Sequence, residues 1–375
     1  MNPGLYVHVP FCARRCHYCN FLTRGNPTSE DIRDYLNALR LHAAAMRLRT
    51  DGRVFGTLYL GGGTPAFLDE RSLAEMFAIL RENFVFLDDA EITCEANPGE
   101  LDSQKIQALK ALAVKRVSLG IQSFDDALLQ KIGRSHDAGD SRRTIGALRE
   151  AGFVNVSADL MIRLPGQSVD AVRRAARECA RLSLQQVVIY DLNVHNGTVF
   201  GRLAKDGRLD LPSEDTHQLM MEEAEAVLEA EGFRRYEISN FARPGFESRH
   251  NLIYWNNGEY LGLGPGAFSY LDGDRFVFAG SLAEYFQKCA SGDWRPRESE
   301  TIGGPMKEME TLLTGLRLSR GVCRSAFVLI RDHLEKVLPP LVREGFIEEQ
   351  NRNLRLTRKG RYAAETVFTE LSFGD

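Results

Sequence analysis

Six short β-branched runs, each followed by an amphipathic helical stretch, fill the first two thirds of the chain. That alternation restricts the fold to repeated βα units around a parallel sheet. The strand candidates are LYVHV at 5–9, GTLYL at 56–60, AEITCEA at 90–96, KRVSLGI at 115–121, FVNVSADLMI at 153–162 and QVVIYDL at 186–192. The first helical stretch shows why the intervening segments cover a sheet. With Ser29 read as its N-cap, Ile32, Tyr35, Leu36, Leu39, Ala43 and Met46 recur at three- and four-residue spacing and form one buried stripe. A further helix is expected at 214–230, ahead of FRRYEIS, another strand candidate.

From 241 to 300 the text turns to Gly, Asn, Pro and aromatic residues and reads as an irregular segment packed on the barrel. Helical text at 305–317 and 325–343 then precedes GFIEEQ, the turn NRN, LRLT and a last helix at 358–371, an order that suggests a small winged-helix-like unit. The organisation expected is thus 1–240, 241–300 and 301–375. With 375 residues, 43% of them hydrophobic, the chain can bury a sizeable core, which excludes a disordered or collagen-like polymer. A formal charge of −4 gives no reason to expect nucleic acid, so the last unit reads as a cover or lid. No run of 18 apolar residues occurs, and the opening MNPGLYVHVPFC lacks the pattern of a signal peptide, so a cytoplasmic location is expected.

Cys12, Cys16 and Cys19 follow the first strand with the spacing C-x3-C-x2-C. Thiolates select iron–sulfur clusters or zinc, and a four-iron cluster takes one thiolate per iron, so three leave one iron open. At the C-terminal mouth of a parallel barrel an open iron is a place for a substrate to bind. A zinc site completed by His8 or His17, and inert thiols, remain open on residue types alone. Cys94, Cys179, Cys289 and Cys323 stand apart and read as small core residues. Gly61, Gly62 and Gly63, after the second strand, let backbone approach a ligand and offer carbonyls to an ammonium, or else make a tight turn.

LYVHVPFCARRCHYCNF resembles the N-terminal motif of the radical S-adenosylmethionine (SAM) superfamily. GGGTP at 61–65, EANPGE at 95–100, RVSLGIQSF at 116–124, IGRSH at 132–136 and DLMIRLPGQ at 159–167 are similar to its coproporphyrinogen-oxidase-like branch, over nearly the whole chain. The resemblance implies an α/β fold, a partial (β/α)6 TIM-type barrel with a small C-terminal winged-helix-like domain. It implies a [4Fe–4S] cluster on Cys12, Cys16 and Cys19, with SAM chelating the open iron and cleaved by electron transfer to a 5′-deoxyadenosyl radical. It also assigns SAM contacts to Tyr6, Tyr18, Gly62, Gly63, Thr64, Glu95, Gln122, Arg134 and Asp159. Read without the family, Glu95 is equally an exposed strand-end carboxylate, and the other polar members of that set are more often structural or solvated residues.

Within the branch, the oxidases carry a longer N-terminal extension and a further cysteine two residues after the third. Here that position is Phe21, and the motif begins almost at the start. The chain is more similar to the haem chaperones of the branch. HNLIYW at 250–255 resembles their H-N-x-x-Y-W motif and implies haem contacts from His250, Tyr254 and Trp255. The implied partners are haem, haem-accepting apoproteins and an electron donor, with transient membrane contact and a homodimer left open. The alternative is a porphyrin-modifying radical enzyme, a coproporphyrinogen III oxidase or a haem-opening methyltransferase. GLGPGA at 262–267 lacks the spacing of a dinucleotide-binding turn. Three departures bear on the cavity: Asn20 stands where Asp is frequent, Arg163 where Gly is common, and His195 where an acidic residue is more usual.

Overall fold

Leu5, Val7 and Val9 are fully buried in β1 (Gly4–Val9), a strand covered on both faces as a central parallel strand must be. The structure, a computed structural model, describes residues 1–373. β2 (Val54–Gly62), β3 (Val85–Ala96), β4 (Arg116–Gln122), β5 (Asn155–Ile162) and β6 (Gln186–Asp191) follow β1 in spatial order, every neighbouring pair parallel. This is the six-stranded partial barrel expected. β3 starts earlier than its apolar run because Val85 and Phe86 pair with Val54 and Phe55.

Helices Ser29–Arg47, Glu70–Asn83, Ser103–Ala111, Ala138–Glu150 and Val169–Arg181 return the chain between strands. The first is capped by Thr28 and not by Ser29. Thr28 Oγ1 accepts from the Asp31 N–H, and Asp31 accepts from the Thr28 N–H, a reciprocal pair that Ser29 cannot form with Ile32 three residues on.

The segment read as irregular is instead built into the sheet. The strand expected in FRRYEIS is present as β7 (Arg234–Arg235), and it and β8 (Asn240–Ala242) extend the sheet antiparallel beyond β6. On the other edge β9 (Tyr260–Leu263) pairs parallel with β1, and β10 (Phe268–Leu271), β11 (Asp274–Val277) and β12 (Glu298–Thr301) continue as an antiparallel meander. Helices Arg249–Trp255 and Leu282–Ser291 lie among them. Strands of four residues between glycine turns carry too few alternations to show a period.

A second core, including Met309, Leu312, Phe327, Leu334, Leu354 and Leu371, belongs to the C-terminal unit. Its sheet has three strands, β13 (Val322–Cys323), β14 (Ile347–Gln350) and β15 (Asn353–Leu356), with β15 central. The helix expected from 325 begins only at Arg331, after a short 3-10 turn at Arg324–Ala326. The last helix is broken into Arg358–Tyr362 and Ala364–Leu371. Cys323, expected in a core, is exposed, since a strand of two residues at the sheet edge leaves its side chain uncovered. Among the described residues no helix is long and apolar enough to cross a membrane.

Candidate functional site

Gly62, Ala96, Gln122 and Asp191 are the last residues of β2, β3, β4 and β6, and all four line one cavity of about 450 Å³ at the C-terminal mouth of the barrel. Every residue that the resemblance assigned to cluster and SAM, from Tyr6 to Asp159, lines it too.

The cysteine loop enters this mouth on a fixed base. Phe11 and Cys12 pair in parallel with Arg24 and Gly25, the Asn26 N–H donates to the Cys12 carbonyl at 3.0 Å, and the His17 N–H donates to Ile132 O at 3.0 Å. Burial pushes the Cys12 thiol up to about 11 and raises that of Cys19, so the thiolate forms need a cationic partner. Arg134 brings one. Its Nη1 donates to Cys16 Sγ at 3.3 Å while Nη2 donates to Asn97 Oδ1 and the Gly120 carbonyl.

Among the described residues no three His, Cys, Asp or Glu side chains converge closely enough to hold a single ion. Three thiols on one loop beside an open cavity suit a cube with one iron left open, whereas His8, a candidate fourth ligand for zinc, has both ring nitrogens engaged by Tyr6 Oη and the Leu22 carbonyl. The donor set therefore fits the iron–sulfur group.

The glycine run packs beneath this loop. A Cβ at Gly63 would lie 2.3 Å from the Phe11 carbonyl oxygen, and Gly62, at φ +108°, has the His8 ring where a side chain would go. The N–H groups of Gly63 and Thr64 are spent on Val9 O (2.8 Å) and Phe11 O (2.7 Å), and that of Gly62 donates to Glu95 Oε2 at 3.2 Å. Glu95 faces the cavity but is shielded from bulk water. Burial and the neighbouring Asp159 raise it to about 7, against which hydrogen bonds from Tyr59 and Gly62 act. Burial likewise raises Asp159 to about 6, opposed by the Ser118 hydroxyl. Two carboxyls poised near neutrality are what a cationic, hydroxyl-bearing ligand would recruit. Gln122 sits at φ +65°, costly for a side chain with a Cβ, and accepts from Tyr190 Oη at 2.7 Å.

Tyr59, Asn97, Arg116, Ser118 and Tyr190 also line the cavity and were not singled out in the sequence. Strand parity was the available signal. Tyr59 pairs in register with Tyr6, and Ser118 with Glu95, so each lies beside a residue already assigned to the mouth.

The three aromatic positions expected for haem lie elsewhere. His250 is 1% exposed on helix Arg249–Trp255 and does not line the cavity. Its Nδ1 is 2.7 Å from Thr57 Oγ1 and its Nε2 2.8 Å from Tyr254 Oη, while its ring stacks on Tyr59. Burial lowers its pKa to about 3, so the imidazole is neutral with both nitrogens engaged. The structure thus presents a packed histidine where an open axial ligand was expected. Trp255 lies under the Arg317 guanidinium at 4.3 Å. Of the departures, Asn20 and His195 line the cavity. Arg163 occupies φ +63°, which explains why Gly is common there, and pairs with Glu214.

Barrel, open-mouthed cavity and cysteine loop define a radical SAM protein, and the comparisons agree. The radical SAM superfamily matches residues 6–179 and the HemN C-terminal domain matches residues 309–363. The fold is that of the Escherichia coli coproporphyrinogen III oxidase HemN (TM-score 0.87, 24% identity, covering 99% of this chain and 90% of that one). Among curated relatives, heme chaperone HemW of Bacillus subtilis is 35% identical over 97% of each chain, and that of Lactococcus lactis is 34% identical over 99% of this chain and 97% of its own. The chain belongs to the HemW family, in the HemN-like branch of the radical SAM proteins. Membership in that superfamily implies SAM and a [4Fe–4S] cluster as cofactors.

Proposed function

We propose that this protein is a haem chaperone: it binds haem and hands it to acceptor apoproteins, with cluster and SAM seated at the barrel mouth. The near full-length identity to proteins named as haem chaperones carries this reading. The likeness to HemN, at 24% identity, concerns the fold and does not argue for decarboxylation of coproporphyrinogen.

Cys12, Cys16 and Cys19 would ligate the cluster, and Arg134 would hold positive charge against Cys16. When bound there, the cluster would be the source of an electron for reductive cleavage of the SAM sulfonium. The carbonyls of residues 61–63, Glu95 and Asp159 would orient the cofactor's ammonium and hydroxyls, and Tyr59 and Gly62 hold Glu95 for that task. The protein partners of this function are haem acceptors and an electron donor.

For haem itself, the helix carrying His250, Tyr254 and Trp255 remains the candidate drawn from sequence, and it requires His250 to release Thr57 or Tyr254. A second reading rests on His195. This exposed imidazole lines the same cavity as Phe21, itself 61% exposed, and its ring makes no hydrogen bond among the described residues.

Haem titration of anaerobically reconstituted protein tests the proposal. A Soret shift with transfer to an apoprotein is expected. Conversion of coproporphyrinogen III to protoporphyrinogen IX by the reduced protein with SAM would overturn it in favour of the enzymatic alternative.

A further inference from the structure

Away from the barrel mouth, a groove of about 840 Å³ runs between the barrel and the C-terminal unit. Arg234 and Arg235 of β7 line one side, and Arg355 of β15 with Arg358 and Arg361 of the helix after it line the other; the acidic residues in it are Glu225, Glu229 and Glu348. Two positive charges are therefore in excess. Arg355 Nε donates to Glu348 at 2.6 Å, and that pair is balanced. Glu225 is not. Its carboxylate lies 3.1 Å from Arg235 Nη2, 3.1 Å from Arg361 Nη2 and 3.9 Å from Arg358 Nε, so one buried anion faces three guanidiniums.

Arg235 shows the deficit most plainly. Its side chain is 5% exposed, its Nη1 is spent on the Ile238 carbonyl, and although Nη2 lies 3.1 Å from Glu225, neither Nε nor Nη2 has an aligned hydrogen-bond partner among the described residues. The Nε of Arg361 is also unpartnered. Buried cations lacking a full complement of acceptors are costly, whereas the same cations at an open groove can be satisfied by an arriving anion. Arg234 and Arg358 are exposed, and Arg358, whose Nε donates to Tyr362 Oη at 3.2 Å, keeps its two Nη groups for the arriving anion. A carboxylate brings one charge and two acceptor atoms. A phosphate group brings up to two charges and three or more acceptors, which matches the excess and the number of guanidiniums.

We infer that this groove is a binding site for a phosphate-class oxyanion, held jointly by β7 of the barrel and the helix at 358–362, so that its occupant ties the C-terminal unit to the barrel. The group can come from a soluble phosphate compound or from an anionic lipid headgroup.

Thermal unfolding of the full chain in millimolar pyrophosphate, compared with chloride at equal ionic strength, tests this. The midpoint should rise by about 2 °C. The rise should be lost in Arg234→Gln/Arg358→Gln, whose sites are exposed enough to leave folding intact, and kept in Arg174→Gln on the outer barrel helix. No rise in the wild type, or an equal rise in the double variant, overturns the site. Co-sedimentation with vesicles containing phosphatidic acid, a phosphomonoester lipid, weakened by the double variant and absent with phosphatidylcholine alone, identifies the lipid headgroup as the source. A pyrophosphate response without vesicle binding identifies a soluble phosphate compound.

Discussion

The Tyr59 hydroxyl donates to Glu95 Oε1 at 2.8 Å while the Gly62 N–H donates to Oε2 at 3.2 Å, so one carboxyl at the cavity floor is gripped through both oxygens. Glu95 is nonetheless raised to about 7 by burial and by Asp159, which burial in turn raises to about 6. The folded protein therefore keeps protons that the unfolded chain releases near pH 4 to 5, and the linked stability is full below that range and lost as pH rises toward 7. For the cofactor-free protein the urea midpoint should fall between about pH 5 and 7, by a stability on the order of 1–2 kcal/mol, and Glu95→Gln should flatten the decline. A wild-type profile matching that of Glu95→Gln would contradict the assignment.

Cys16→Ala removes both a proposed cluster ligand and the sulfur that Arg134 contacts. After anaerobic reconstitution, iron and sulfide analysis should show most of both lost, while Cys94→Ala, a buried core position, should retain them. Full iron and sulfide in Cys16→Ala would sink the cluster assignment.

The glycines divide by what surrounds them. Gly63→Ala drives a methyl group to 2.3 Å from the Phe11 carbonyl, a backbone atom that cannot rotate aside, and should cost more than about 2 kcal/mol along with cluster occupancy. Gly146→Ala, within helix Ala138–Glu150 and facing open space, should instead stabilise by about 0.5–1 kcal/mol. Chemical denaturation of the two variants side by side checks both signs.

The parallel barrel was legible because its strands are long and apolar: β1 and β4 are buried almost throughout, and each sits between glycine or polar boundaries. The meander β9 to β12 was not, since four-residue strands separated by Gly264, Gly266 and Gly273 give no period to read. Local chemistry named the cysteine loop and the glycine turn, whereas Tyr59, Ser118 and Tyr190 enter the site only through register with a neighbouring strand. That information lies in pairing and is absent from any single segment. The packing of His250 was hidden for the converse reason. A motif shows residue types, but only packing reveals that Thr57, some two hundred positions away, occupies one nitrogen.

That pairing separates two roles for His250. His250→Ala leaves Thr57 Oγ1 and Tyr254 Oη without their partner in a buried space and removes a ring stacked on Tyr59, which should cost about 2–4 kcal/mol in urea unfolding. If the residue only packs, the variant that remains folded should still shift the haem Soret band with unchanged affinity. If it ligates iron after releasing a partner, the band position itself should change. His195→Ala, at an exposed rim position, should alter stability by less than about 0.5 kcal/mol, so any loss of the Soret shift there reports contact with haem and not unfolding. Haem spectra unchanged in both variants would place the ligand at neither histidine.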